Sequence, residues 1–344
     1  MGYCSLPFKR IKINSDGEYH SCCHQKITYG NLIKDDLTLE TAFQNNILKE
    51  VQDHVSAGKL HPICDTPRCP FYTVKDQLQP SENERPTYPS DIELALSSTH
   101  CNIGGTEPTA DSACSMCPRA SKTFMKHEPN QDLTDKLVAK IVPYIKNVNE
   151  LNIQGIAEPF WKGKVVDILE VLNFKKYKDN THFWSFTNGT VFGDKVQDAF
   201  LSNVRWATLG FSVDAATPET YKKIRKLNFF HVVERNIKKY VNKAKKLKQN
   251  NNVHYGTFTT FNINMLNVHE IVQMVEWSHS LGVDRCEFTL TFNGSPEFIM
   301  GEENLCNENN WEIFWQGQLD AVKRGKELGF KVDFYVPFHG GFLK

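Results

Sequence analysis

At 344 residues the chain exceeds one typical domain, which predicts a core of roughly 250 residues with a smaller appendage. Hydrophobic residues make up 40% and charged residues 23%, ordinary globular proportions, and no apolar run approaches the ~18 to 20 residues of a membrane span. Forty basic residues balance forty acidic ones, so the electrostatic case for a duplex nucleic-acid binder is absent and a partner has to be found from chemistry.

The first ten residues, MGYCSLPFKR, lack a basic start followed by an apolar stretch, and Leu6 stands where a myristoylation signal wants Ser or Thr. The expectation is a cytoplasmic protein with no membrane partner. Ten cysteines in that setting read as reduced thiols, metal ligands or catalytic groups rather than disulfides.

In chain order, FKRIKINSDGEYHSCC predicts two short strands around an Asp16-Gly17 turn, and LTLETAFQNNILKEVQDHVSAG predicts one helix stopped by Gly58. These lie in a loop-rich unit over 1–77 with few large apolar side chains, which calls for a staple such as a metal centre. The Pro-, Ser- and charge-rich stretch 78–90, LQPSENERPTYPS, reads as a linker. Beyond it, over 91–344, six apolar runs alternate with helical patterns: DIELALSS, ELNIQG, HFWSFTNG, WATLGFSVD, VHYGTFTTFN and RCEFTLTFN. Helices are expected near 133–145, 165–172, 229–247 and 268–281, and FKVDFYVP offers one further edge strand. Alternation of this kind predicts an α/β fold with a parallel sheet and right-handed crossovers. Six units fall short of a complete eight-unit barrel, so the expected architecture is a partial TIM-like (β/α)6 barrel preceded by a small cysteine-rich α+β domain.

Ligands of parallel α/β proteins sit at the carboxyl ends of the strands. After the first barrel strand come Cys101, Cys114 and Cys117; after the second, Gly155, Glu158 and Pro159; after the third, Asn188 and Gly189; after the fourth, Ser212 and Asp214. All four stretches therefore fall on one face. Three thiols on one loop can ligate three irons of a [4Fe-4S] cluster and leave the fourth open to a substrate or cofactor, with Met116 packed against a flat ring. A C-x-x-C pair alone reads equally as a zinc half-site or a redox pair.

The combination resembles the radical S-adenosylmethionine (SAM) superfamily: a three-cysteine loop after the first strand, a Gly-Glu-Pro type motif after the second, and GFSVDAATPETYKKIR as the fourth-strand segment. The resemblance covers roughly 92–293. It implies that Cys101, Cys114 and Cys117 hold a SAM-binding cluster, that Glu158 with the backbone around Gly155 holds the methionyl amine, and that Ser212 and Arg225 contact the ribose or carboxylate. Met116, Pro159, Asn188 and Asp214 complete the expected cofactor-binding set; no residue is assigned a catalytic role, and Asn264 and Asn293 are ordinary polar strand-end groups. Two departures stand out: twelve residues separate Cys101 from Cys114 where three are commonest, and Ala157 replaces a glycine.

The N-terminal cysteines, with the following GNL, helix and HPICDTPRCPF, resemble the auxiliary-cluster modules called SPASM and Twitch, which usually follow the barrel rather than precede it. That resemblance implies Cys4, Cys22, Cys64 and Cys69 as ligands of an auxiliary [4Fe-4S] cluster, Cys22 being preferred to Cys23 because it falls five residues after Gly17. The alternative is a four-cysteine zinc site. Implied with it are radical chemistry that oxidises or cross-links a peptide or protein substrate and a one-electron reductant such as flavodoxin or ferredoxin. Small-molecule substrates, and a non-catalytic metal-binding or electron-transfer protein, are the other readings. Cys286 reads as a core residue, Cys306 as a bystander, the lysine-rich 222–249 stretch as a solvated outer helix, and 293–311 as a long loop over the same face.

Overall fold

The computed structural model describes residues 4–22, 27–66, 69, 71–80, 84–97, 99–105, 107–121, 133–177, 179–250, 253–291, 306 and 310–335. Cys23, Asn293 and nearly all of the expected 293–311 loop lie outside them.

Among the described residues seven strands follow residue 90, each after the first running parallel beside the one before it: β4 (Asp91–Ala95), β5 (Glu150–Gln154), β6 (His182–Thr187), β7 (Trp206–Ser212), β8 (His254–Ile263), β9 (Arg285–Leu290) and β10 (Lys331–Tyr335). All six expected strands and the extra edge strand are thus present. Helices α3 (Thr134–Ile141), α4 (Lys164–Val171), α5 (Asp194–Asn203), α6 (Pro218–Arg225), α7 (Phe230–Asn250), α8 (Ile271–Leu281) and α9 (Trp311–Leu328) fill the connections. None of the described helices is long and apolar enough to cross a membrane.

Strand side chains alternate between two faces. Ile92, Leu94, Leu151, Ile153, Phe183, Ala207, Leu209 and Phe211 are buried in the main core. The residues between them form the opposite face, where Glu93, Asn152, Trp184 and Thr208 stand side by side in register. That inner face is polar and aromatic, unlike the branched aliphatic filling of a barrel built only for packing. Glu93 accepts from Lys12 at 2.5 Å and from Gln154 at 2.7 Å, and the Trp184 and Phe186 rings meet at 4.6 Å.

The N-terminal hairpin forms as expected: β1 (Arg10–Ile13) and β2 (Glu18–His20) turn at Gly17, whose φ of +88° suits glycine, and β3 (Gly30–Asn31) pairs with β2. One strand pairing ties this unit to the rest. β1 runs parallel to β4, so the sheet continues from the first segment into the barrel. Ile11, Ile13, Tyr19, Leu32, Phe43 and Leu48 join the main core, which gives the segment packing its own composition lacks. Only Phe8, Val51 and Val55 make a separate small cluster, with Cys4 and Cys64 packed on it.

Four differences from the sequence expectation concern helices. The single helix over 37–58 is two, α1 (Leu39–Phe43) and α2 (Asn46–Ser56), because Asn45 leaves the helical region and caps the second through Ile47 N. Its amide also donates to Tyr29 O at 3.1 Å, anchoring the break to the hairpin. Helix α5 was unreadable because its buried face includes Gln197 and Asn203 beside Phe200. Helix α6 is short and lysine-rich, and its only local marker is the Thr217-Pro218 start, where Thr217 accepts from Thr220 N. Helix α9 was likewise not anticipated; Phe314, Ala321 and Gly325 are its buried residues.

Candidate active site

The three-cysteine loop leaves the carboxyl end of β4 and is held from several sides. Cys117 N donates to Cys114 O at 2.8 Å, making a tight turn around Met116, which is partly exposed. Arg119, 1% exposed, reaches back along the loop: Nη1 donates to Ile103 O at 2.9 Å and Nη2 to Gly105 O. Ser115 N donates to Ile224 O at 2.8 Å, attaching the loop to the end of α6. The long first gap between cysteines is therefore a laced structure. Arg119 was not anticipated, and nothing but its place two residues after Cys117 marks it.

Burial raises the Cys101 thiol and pushes the Cys117 thiol up to about 11, and each feels the charge of Cys114. The three sulfurs are thus within electrostatic reach of one another. Among the described residues no three His, Cys, Asp or Glu side chains converge on a single ion. A four-iron cubane takes one thiolate per iron, which asks for a wider set than one ion does, and soft thiolates are its usual ligands. Cys101, Cys114 and Cys117 could serve it.

At the end of β5, Gly155 has φ +133°, and a Cβ there would lie 2.8 Å from Leu96 O and 2.9 Å from Leu96 N. Glycine is required because the β5 backbone passes hard against the exit of β4. The chain then turns inward at the buried Glu158, whose amide donates to His100 O at 2.8 Å, and at the buried Pro159. Glu158 Oε1 accepts from Thr187 Oγ1 at 2.7 Å and Phe160 N at 3.1 Å, and Oε2 accepts from Asn188 N at 2.5 Å. The carboxylate joins the ends of β5 and β6. Asn188 then donates to Asn102 Oδ1 at 2.9 Å, which carries the connection back to the cysteine loop.

Burial pushes the Glu158 carboxyl up to about 7, against the lowering pull of its three donors. In the unfolded chain it titrates near ~4.3, so the folded state binds the proton more tightly. Its stabilising contribution is complete below that lower value and is lost as pH rises through about 7, a change on the order of 3 kcal/mol. Denaturant unfolding between pH 4 and 8 should show this fall in the parent protein. Glu158→Gln should lack that slope, so its deficit against the parent, caused by its NH2 facing Asn188 N, should be widest near pH 4 and narrow by about 3 kcal/mol toward pH 8. Parallel pH curves for the two proteins would contradict this assignment.

The β7 end carries the densest charge. Arg225 lies at the end of α6, 8% exposed, and its Nη2 meets Asp214 Oδ2 at 2.5 Å and Ser212 O at 2.7 Å. Its Nη1 points at Cys114 Sγ, 3.6 Å away. Asp214, at φ +61°, also accepts from Asn262 N at 2.7 Å. Ser212 Oγ accepts from Thr260 Oγ1 at 3.3 Å. One guanidinium thus joins the fourth-strand end to the cysteine loop, an arrangement visible only in three dimensions. Asn264 directly follows β8 and shapes its own loop, accepting from Leu266 N at 3.0 Å.

In the N-terminal unit, burial pushes the Cys4 thiol up to about 11, and the charges of Cys64 and Cys69 add to the rise. These three thiols are brought near one another. Cys22 follows β2, its carbonyl accepting from His20 Nδ1 at 2.5 Å. Cys286 is fully buried in the core, and Cys306 is partly buried against it.

No family model matches the chain, and no curated protein matches it significantly. Solved structures do. Native anSMEcpe with bound AdoMet is 17% identical, with a TM-score of 0.53 over 71% of this chain and 64% of that one. The same enzyme with bound AdoMet and Cp18Cys peptide is 17% identical, with a TM-score of 0.51 over 71% and 62%. Streptococcus suis SuiB bound to precursor peptide SuiA is 11% identical, with a TM-score of 0.51 over 72% of this chain and 49% of SuiB. The chain therefore matches about half the length of SuiB and under two thirds of anSMEcpe. These structures are radical SAM enzymes, and at such low identity the likeness concerns architecture. The fold of this chain is the partial TIM-like barrel of radical SAM enzymes.

Proposed function

We propose that the chain is a radical SAM enzyme acting on a peptide or protein. The observation that carries this reading is the placement of Cys101, Cys114 and Cys117 on one laced loop at the carboxyl end of the barrel, with Arg225 against Cys114. Cys101, Cys114 and Cys117 would hold a [4Fe-4S] cluster, which with SAM would supply radical chemistry able to take a hydrogen atom from an unactivated carbon. The residues of this chain hold, orient and shield. Arg119 and Ser115 keep the loop in place, and Arg225 sets a positive charge beside the Cys114 sulfur. Gly155 lets backbone approach closely at the β5 end, and Met116 offers a thioether surface to a flat ring. Glu158, Pro159, Asn188, Ser212 and Asp214 frame the pocket for SAM. The peptide reading is supported by the likeness to SuiB bound to a precursor peptide and to anSMEcpe with a Cp18Cys peptide. Cys4, Cys22, Cys64 and Cys69 are proposed to hold an auxiliary cluster, with a flavodoxin- or ferredoxin-type protein as electron donor.

Anaerobic reconstitution with iron and sulfide, followed by dithionite and SAM, should yield 5′-deoxyadenosine from the parent protein and none from Cys114→Ala. Iron should fall from about eight atoms per chain to about four in Cys4→Ala/Cys64→Ala, with 5′-deoxyadenosine retained. Zinc in place of iron, with no SAM bound, would sink the reading.

A further inference from the structure

A groove with a cavity volume of about 1000 Å³ runs between the segment Val268–Glu270 with the start of α8 on one side and the first half of α9 on the other. The two helices touch where Gly317 meets Ile271: a Cβ on Gly317 would lie 3.1 Å from Ile271 Cδ1. One wall is fastened to the candidate active site. Asn267 donates to Asp214 O at 2.9 Å, and the buried Glu270 accepts from Ala216 N at 2.7 Å and Thr217 Oγ1 at 2.5 Å. The groove therefore opens on the same rim as the β7 and β8 strand ends.

The chemistry of the α9 wall is unusual for a solvated surface. Trp311 and Trp315 lie with ring planes 26° apart and centroids 6.3 Å apart, and Trp311 is braced by Phe314, which is fully buried. Of eleven exposed large hydrophobic side chains among the described residues, three are on this one helix: Ile313, Trp315 and Leu319. Beside the tryptophans stand Glu312 and Asp320, two turns apart on one helix face, and among the described lining residues His269 is the one basic side chain, with no lysine or arginine. Aromatic rings flanked by carboxylates attract an ammonium or guanidinium group, while the isoleucine and valine walls take apolar side chains.

We propose that this groove docks a segment of the peptide substrate bearing lysine or arginine among apolar residues. The proposal rests on the peptide reading above. The volume accommodates several side chains, and the position on the rim lets a docked segment lead toward the barrel mouth. Affinity comes from rings and carboxylates remote from the thiols, so docking is separable from radical chemistry.

Fluorescein-labelled LRLKAL and LELEAL peptides, titrated against the full chain and followed by anisotropy, test it. The basic peptide should bind at least about tenfold tighter than the acidic one, and Trp315→Ala should weaken it about tenfold. Glu312→Lys/Asp320→Lys should invert the preference, with circular dichroism confirming that each variant is folded. Equal binding of both peptides, binding of neither at millimolar concentration, or insensitivity to Trp315→Ala would overturn the proposal. Measuring 5′-deoxyadenosine on the same samples keeps the two readings apart. Nucleoside formation without peptide discrimination removes the groove and leaves the function; discrimination without nucleoside does the reverse.

Discussion

Arg225→Gln is expected to lower global stability by about 3–5 kcal/mol and to reduce the iron that the protein takes up on reconstitution. Among the described residues the guanidinium is the one cation paired with Asp214, a carboxylate 2% exposed, and removing it leaves that carboxylate buried without a counter-charge. Its fork is used in two directions, with one nitrogen on Asp214 and Ser212 O and the other on Cys114 Sγ. Arg225→Lys keeps the charge and loses the fork, so it should recover stability only in part. Asp214→Asn tolerates the left-handed backbone at φ +61° but leaves Arg225 uncompensated. Combining Arg225→Gln with Asp214→Asn should cost less than the sum of the two, because the buried charge left by each substitution is gone. Urea unfolding of the four proteins with iron determination checks this. Parent-like stability of Arg225→Gln would show that the pair contributes nothing.

Gly210→Val should be nearly as damaging, through packing rather than charge. Gly210 lies on the inner face of β7, and a Cβ there would sit 2.5 Å from Phe186 Cε1 and 2.6 Å from Phe258 Cζ. The two rings lean across the glycine from β6 and β8, edge to face with centroids 5.7 Å apart. Overpacking at such a site costs about 1–3 kcal/mol or more, and Phe258 has no room to retreat because it is fully buried with Arg285 over its ring at 4.3 Å. This aromatic layer lies one residue below Thr187, which holds Glu158, and two below Ser212, so SAM binding should weaken along with stability. Phe186→Ala in the Gly210→Val background opens space for the new methyl groups and should restore part of both. Thermal melting and equilibrium dialysis with SAM measure the two effects. Failure of Phe186→Ala to rescue either would place the damage elsewhere.

Much of the architecture is legible in local pattern. The two-residue alternation of Ile92 and Leu94, Leu151 and Ile153, and Ala207, Leu209 and Phe211 marks strands with one face against helices. The strand-end rule then places Cys101, Glu158, Asn188 and Ser212 on one rim without coordinates. Helices α5 and α6 escaped because the residues they bury are Gln197, Asn203, Thr220 and Arg225 as well as apolar ones, and periodicity sees only the apolar ones. The break at Asn45 escaped because its donors are answered by Tyr29, 16 residues away.

By itself, then, the sequence determined the period of each strand, the thiols on the first strand-end loop and the residue types available at each later end, because these depend on neighbours a few positions apart. Only the tertiary structure decided that Arg119 laces the loop to Ile103 and Gly105, that Arg225 joins Asp214 to Cys114, and that β1 extends the barrel sheet beside β4. The physical reason is partnership. A buried charge or an edge strand has many chemically acceptable partners along the chain, and only the packed backbone determines which of them is within reach.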